Sequence, residues 1–494
     1  MSLAARIAKN TLVQIISKII STILGLFSIA LITRYLGQAG FGEYTTVITF
    51  LTFFAVIADL GLTLVTAQMI AGRREPEEER HILNNLFGLR LLSVLFFLAL
   101  APLFAIFSPY GATVKAGILL AAAAFIFPAL NQIIVGLFQK KLSMNRDAAA
   151  EVFSRLVLIA GIIFSEKSGA GLNGVLITTV AAGAANFLLH YFLAFKYAFI
   201  RPAFDFGLWK KIVTKSWPLA VTIVLNLIYL RADTLLLSFF KSPADVGLYG
   251  AAYRVIDVLA TLPFMFAGLV LPILTAAWLD NEHEYFRRAL QKSFDFMAAL
   301  AIPLVIGAQF VGKSLMVFVA GDDFAPSGAI LQILIFAVAA IFLGTMFSHA
   351  VIALDKQRKM IRFYVFTGLS SLIGYLWLIP RFSVFGAAGV TIYSEVLIAA
   401  FAAYCVYKYG RFRPKLKMSG RALAAGLLMG ACLYFSPQRF QTNILGLIAV
   451  LLIAALVYFG GLWLFGGLGA EDLSLIFKRQ KKGASPTYDP TGKF

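Results

Sequence analysis

Between Trp217 and Leu274 two apolar runs, each long enough to cross a bilayer, are joined by a six-residue polar hinge, Lys241 to Val246. A transmembrane helix needs about 20 apolar residues, and inside a bilayer only helices and closed barrels satisfy their own backbone. The pattern recurs along the chain. We read fourteen spans, at 11–36, 43–70, 86–107, 116–138, 147–165, 173–195, 217–240, 247–274, 294–312, 328–353, 363–379, 386–407, 422–436 and 443–466. The predicted class is an all-α integral membrane protein. With 60% hydrophobic and 14% charged residues, a soluble domain of 494 residues is excluded.

Charge orients the spans. With the N-terminus inside, cytoplasmic segments and their flanks carry 31 of the 43 Lys and Arg, outside loops carry 6, and 6 lie within spans. That bias predicts cytoplasmic N- and C-termini in the cytoplasmic (inner) membrane, and it accounts for the net charge of +19 without a nucleic-acid partner. The first apolar segment is too long for a cleavable signal and is expected to be a retained span. Cys405 and Cys432 both fall in apolar segments, so neither a disulfide framework nor a metal site is predicted. No loop is long enough to be a domain. The stretch Leu279 to Phe294 is expected to be a short amphipathic helix on the inner surface. The Lys-rich tail, 468–494, reads as disordered and cytoplasmic.

The two halves echo each other. Gly42-Glu43-Tyr44 opens the second span and Gly247-Leu248-Tyr249 the eighth, an offset of 205; Gly174-Val175 in span six matches Gly389-Val390 in span twelve. Spans 1–6 (1–205) and 7–12 (206–415) are thus expected to be pseudo-symmetric six-helix lobes, with 416–467 holding two additional helices. Parallel repeats of this kind put a transporter's substrate site between them.

Several charged residues lie inside spans, where each costs about 2.5–3.5 kcal/mol on insertion scales unless partnered or wet. In span one Asn10, Gln14, Ser17, Lys18 and Ser21 share a helical face. Lys18 there is either an anion contact on a cavity wall or a lysine snorkelling to the surface. Asp59 in span two is a coupling-ion carrier or the partner of Lys18. Arg90 is expected to snorkel, and Glu151 with Arg155 to pair at i, i+4. In span seven Arg231 and Asp233 are about 200° apart and cannot share a cavity, whereas Asn226, Tyr229 and Asp233 share a face. In span eight Arg254 and Asp257 can pair, with Tyr249 and Tyr253 on the same side. These charges form either a network in which two arginines satisfy two aspartates, or that network with a polyanion added. His190 reads as an interhelical hydrogen-bonder, and Glu395 as a coupling-ion candidate. Pro218, Pro263, Pro272 and Pro303 can bend helices.

Thr33-Arg34-Tyr35-Leu36-Gly37 followed by Phe41-Gly42-Glu43-Tyr44 resembles the first-hairpin signature of Wzx-type polysaccharide flippases. Arg231-Ala232-Asp233, Ala244-Asp245-Val246-Gly247-Leu248-Tyr249 and Ala252-Tyr253-Arg254 resemble the same family's hairpin between spans seven and eight. The resemblance implies the multidrug/oligosaccharidyl-lipid/polysaccharide superfamily, with a V-shaped two-lobed bundle and two C-terminal helices added. It also implies a polyprenyl-pyrophosphate-linked oligosaccharide as cargo, the bilayer as setting, and a polysaccharide polymerase complex as partner. On that basis Lys18, Arg34, Arg231 and Arg254 are candidate pyrophosphate or glycan contacts, and Gln14, Asn226, Tyr229 and Tyr253 polar cavity residues. Asp59, Asp233, Asp257 and Glu395 are candidate carriers of a coupling H+ or Na+; no other cofactor is expected. Alternatives are a drug/cation antiporter of the same fold, a flippase of the peptidoglycan precursor, and a membrane polymerase or ligase. The short outside loops, without a catalytic constellation, disfavour the last.

Overall fold

The computed structural model describes residues 3–71, 75–436 and 443–467, and among these there is no strand. In chain order the helices are α1 (Leu3–Asp59), α2 (Leu62–Ala71), α3 (Pro76–Ile106), α4 (Ala112–Ala121), α5 (Ala123–Lys140), α6 (Met144–Lys167) and α7 (Gly171–Ala194). They continue as α8 (Phe206–Phe240), α9 (Pro243–Leu279), α10 (His283–Ala320), α11 (Ser327–Ala353), α12 (Gln357–Gly410), α13 (Lys417–Phe435) and α14 (Ile444–Leu464).

Among the described residues, eleven helices are long and apolar enough to cross a membrane. Two hold more than one span. At 57 residues, α1 would be about 85 Å long if straight, nearly three times the hydrocarbon core. It breaks at Gly37 (φ 64°), a conformation that a residue without a Cβ adopts freely. The 54-residue α12 breaks likewise at Ser383. With these divisions, and with α8, the helices accommodate all fourteen spans.

Two boundaries differ from expectation. The hinge after span seven is shorter than the polar stretch, because α9 already starts at Pro243, whose fixed φ suits a first helical turn. The 279–294 segment forms no separate surface helix: from His283 it runs unbroken into span nine as α10. The predicted tail at 468–494 lies outside the described residues.

The helices group into two compact units. One comprises the described residues of Met1–Leu259, Gly312–Ala337 and Ile361–Leu397; the other those of Ala260–Val311, Val338–Met360 and Ile398–Phe494. In the first unit, Leu83, Leu86, Ile133, Leu137, Phe138 and Ile212 pack a buried core. The Arg201–Lys211 link is pinned to α3: Arg201 N donates to Asn84 Oδ1 (3.0 Å), Asp205 N to Asn85 Oδ1 (2.8 Å) and Trp209 Nε1 to Asn85 O (3.0 Å). In the second unit, Ala425, Met429, Val450, Ala454 and Tyr458 pack α13 and α14 together. Pro303 has no N–H to offer Ala299 O, and Tyr458 OH supplies the missing donor at 2.6 Å.

The internal repeat has a physical counterpart in the first unit. A Cβ on Gly42 would lie 2.9 Å from Gly247 N, and one on Gly247 would lie 3.1 Å from Gly42 N. The same two glycines abut Pro243 and Gln38, respectively, a pair that shares the offset of 205. Contacts that exchange under the repeat are the signature of a local two-fold relation. Only hydrogen at these Cα atoms allows the α1 break and the α8–α9 turn to approach so closely.

Candidate functional site

Asp233 lies two turns before the end of α8, fully buried. The polyanion-free network expected for spans seven and eight is not how it is satisfied. Its Oδ1 accepts from Thr234 N (2.6 Å) and Thr234 Oγ1 (3.2 Å); its Oδ2 accepts from Tyr249 OH (2.7 Å) and Thr391 Oγ1 (3.2 Å). Tyr375 OH reaches Thr391 Oγ1 at 3.2 Å. Helices α8, α9 and α12 thus surround a carboxylate with neutral donors, and no ion pair to Asp233 occurs among the described residues. Glu395 follows Thr391 by one turn of α12, on the same face.

The arginines converge on the other aspartate. Arg231 Nη2 meets Asp257 Oδ1 at 2.9 Å, and Arg254 Nη1 meets Asp257 Oδ2 at 3.8 Å. The Arg231 guanidinium also lies over the Tyr253 ring, 5.0 Å from its centroid. The expectation that two arginines satisfy two aspartates is therefore corrected. Arg231 and Asp233 point to different sides of α8, so Asp257 alone receives both cations and the trio keeps a net charge of +1. All three are about one-third exposed. The side chains of Asn226 and Tyr229, also named from the sequence, lie outside the described residues.

Asp59 pairs with Arg90, correcting the expected partner Lys18, and Arg90 does not snorkel but is buried at 4% exposure. The reason is a break in span two. Leu60 and Gly61 both have positive φ, which ends α1 and leaves the carbonyls of its last turn without helical donors. Arg90 Nη1 donates to Asp59 O (3.0 Å) and to Asp59 Oδ1, and Ser93 Oγ donates to Ala58 O (2.6 Å). Arg90 Nε adds Ala129 O at 3.1 Å, and Thr63 Oγ1 donates to Asp59 Oδ1 at 2.5 Å. The cluster closes a broken helix, and periodicity within span two carries no sign of it.

Arg34 turns to backbone. Its Nη2 donates to Phe318 O (2.6 Å) and its Nη1 to Val319 O (3.3 Å) and Ala30 O (3.2 Å). It caps the C-terminal carbonyls of α10, where Gly321 turns the chain. Gln38 Nε2 donates to Asp323 O beside it, and Phe41 meets Phe324 edge-on at 5.8 Å.

On the first half of α1, Lys18 and Gln14 are exposed, while Ser17 and Ser21 are buried. Among the described residues the two buried hydroxyls have no hydrogen-bond partner. The expected Glu151–Arg155 pair does not form. Arg155 lies instead against Gly25 of α1, its Cζ 3.9 Å from where a Cβ would stand. This arginine, about 16 Å into α6 and without an ion pair among the described residues, was missed because the i, i+4 spacing offered a local neutraliser. His190 bridges helices as expected, with Nε2 3.0 Å from Asp147 Oδ1.

Comparison with known proteins gives a consistent picture. The probable flippase AglR of Haloferax volcanii is 26% identical over 210 residues, covering 42% of this chain and 44% of that protein. The chain thus spans under half the length of that relative. The capsular polysaccharide biosynthesis protein CapF of Staphylococcus aureus is 23% identical over 296 residues, 59% of this chain and 74% of CapF. Among solved structures, the lipid II flippase MurJ in an inward closed conformation superposes with a TM-score of 0.76 at 17% identity, covering 93% of this chain and 98% of MurJ. An inward-facing multidrug resistance MATE transporter of the MOP superfamily superposes with a TM-score of 0.62 at 18% identity, covering 81% and 95%. The fold is that of these transporters. Residues 7–278, more than half of the chain, match the family described as polysaccharide biosynthesis protein, and the chain belongs to that family.

Proposed function

We propose that this multi-pass membrane protein translocates a polyprenyl-pyrophosphate-linked oligosaccharide from the inner to the outer leaflet of the cytoplasmic membrane, in polysaccharide biosynthesis. The observation that carries the reading is the Arg231–Asp257–Arg254 trio. Two guanidinium groups share one carboxylate inside a membrane helix pair, are one-third exposed, and keep net positive charge. A lipid pyrophosphate supplies the missing negative charge and fits the planar forks of arginine, while its polyprenyl tail stays in lipid. Lys18, and Arg155 with no ion pair among the described residues, supply further positive charge along α1 and α6. The relatives named as flippases and the family membership support the same reading.

In this reading 1–205 and 206–415 are the two lobes of an alternating-access cycle. Residues 416–467 add two helices, and 468–494 form a basic cytoplasmic tail. Asp233 and Glu395 are the carriers of a coupling H+ or Na+, since Asp233 is held by neutral donors that leave its charge for a cation. Arg34, by contrast, serves the frame. No catalytic role is assigned to any residue, and a polysaccharide polymerase complex is the partner that would receive the flipped cargo.

The test is a reconstituted flipping assay with a short-chain polyprenyl-pyrophosphate oligosaccharide, comparing wild type with Arg231→Ala and Arg254→Ala at equal folded amount. Loss of flipping in folded variants is expected. Normal flipping in both makes the trio structural, and cation-driven drug efflux by a wild type that flips nothing hands the chain to the antiporter reading.

A further inference from the structure

At the end of α12 a recess of about 570 Å³ is lined by Tyr404, Tyr407, Lys408, Arg411 and Arg413. Tyr404 and Lys408, at i and i+4, share a face of the last helical turns, and Arg411 stands just past the helix end. Arg411 then takes a left-handed φ of 50°, which is unfavourable for a residue with a Cβ. That turn carries the outgoing linker back against the helix. Phe412 is buried and anchors it, leaving Arg411 and Arg413 exposed on either side. Arg413 donates to Tyr407 OH at 2.7 Å and stacks over that ring at 4.6 Å. Lys408 lies 6.0 Å from the Tyr404 ring and 5.7 Å from the Tyr409 ring.

Three cations therefore line one recess with two phenols and no carboxylate. Among the described residues none of the three makes an ion pair. We propose that the recess is a headgroup site for an anionic phospholipid. Guanidinium forks match a phosphodiester, and tyrosine rings settle at headgroup level. Exposed apolar side chains flank it in sequence: Ala400, one turn before Tyr404, and Leu416, 64% exposed between the exposed Lys415 and Lys417. Those side chains meet acyl chain, which a free phosphate lacks. The inference rests on the membrane orientation proposed above, in which this end of α12 faces the anionic inner leaflet.

The experiment uses the purified full-length chain in neutral detergent, with phosphatidylglycerol, phosphatidylcholine and glycerol 1-phosphate as probes and native mass spectrometry as readout. Wild type is expected to retain phosphatidylglycerol in preference to phosphatidylcholine. R411Q/R413Q should weaken that retention on the order of thirtyfold, and K408Q roughly fivefold. Equal retention of the two lipids by wild type, or undiminished phosphatidylglycerol on the variants, overturns the site. So does displacement by equimolar glycerol 1-phosphate, which would mark a soluble-phosphate site. If the double variant does not fold, K408Q decides, because Lys408 is exposed and its exchange leaves the linker anchor intact. Flipping is measured separately with the variants of the Arg231 trio, so failure of the transport reading and failure of this site are told apart.

Discussion

The reciprocal contact of Gly42 and Gly247 makes a quantitative prediction. A Cβ on Gly42 would lie 2.5 Å from the Pro243 carbonyl carbon, and one on Gly247 would lie 3.0 Å from the Gln38 carbonyl carbon. The two carbonyl oxygens lie nearer still and ordinary contact begins near 3.4 Å, so Gly42→Ala requires the chain segments to part by more than about 0.9 Å (3.4 minus 2.5) and Gly247→Ala by more than about 0.4 Å (3.4 minus 3.0). Both obstructions are backbone and cannot rotate away. Overpacking of this kind costs about 1–3 kcal/mol, and Gly42→Ala should lie at the upper end. The separation needed for Gly42→Ala already makes room for an alanine at 247. The double variant should therefore cost little more than Gly42→Ala alone, with a coupling energy of about 1 kcal/mol. Gly268→Ala is the control: nothing lies within 4 Å of its Cβ, it sits inside α9, and it should be neutral or stabilising. The assay is the melting temperature of the four variants in one detergent. Additive losses at 42 and 247, or a Gly42→Ala variant as stable as the control, would refute the reciprocal contact.

Three further outcomes follow from the geometry. Arg90→Leu should destabilise by about 3–5 kcal/mol, because it strips a largely buried carboxylate and the last carbonyl of α1 of their donor; adding Asp59→Asn should restore part of the loss, and a melting cycle over the four proteins measures it. Asp233→Asn keeps an amide oxygen for Tyr249 and Thr391 but no charge, and its NH2 faces the Thr234 donors that the other carboxylate oxygen accepted from. The variant should lose about 1–3 kcal/mol for the buried donors left unsatisfied, read from its melting temperature, while the dependence of flipping on a Na+ or H+ gradient disappears in the folded fraction; unchanged gradient dependence would remove Asp233 from the coupling role. Asp205 caps α8, and the N–H of Leu208 holds its carboxyl below the ordinary value of 3.8. Its contribution is therefore present above that value and fades as pH falls through the lowered one, so Asp205→Ala should match wild type's stability only at strongly acidic pH, while Asp205→Asn should keep the cap at every pH.

What could be read from the chain alone follows from properties local to each segment. Hydropathy over about 20 residues marks a span whatever its neighbours, so the set of spans and the all-α class were legible. Periodicity also placed Arg231 and Asp233 on opposite sides of α8, and the offset of 205 picked out the two glycines that meet. The choice of partner depended on tertiary structure. Asp59 could pair with any neighbouring cation, and the broken turn at Leu60–Gly61 selected Arg90, because only there did one guanidinium satisfy a carboxylate and an orphaned carbonyl together. Arg34 read as an anion contact until the end of α10 presented its carbonyls to it. Arg155 read as neutralised by Glu151 until α1 packed against it at Gly25. A helical wheel assigns each side chain a direction, but in a bilayer the cost of an unpaired charge is met by whichever element the packing brings near, and that is a property of the folded whole.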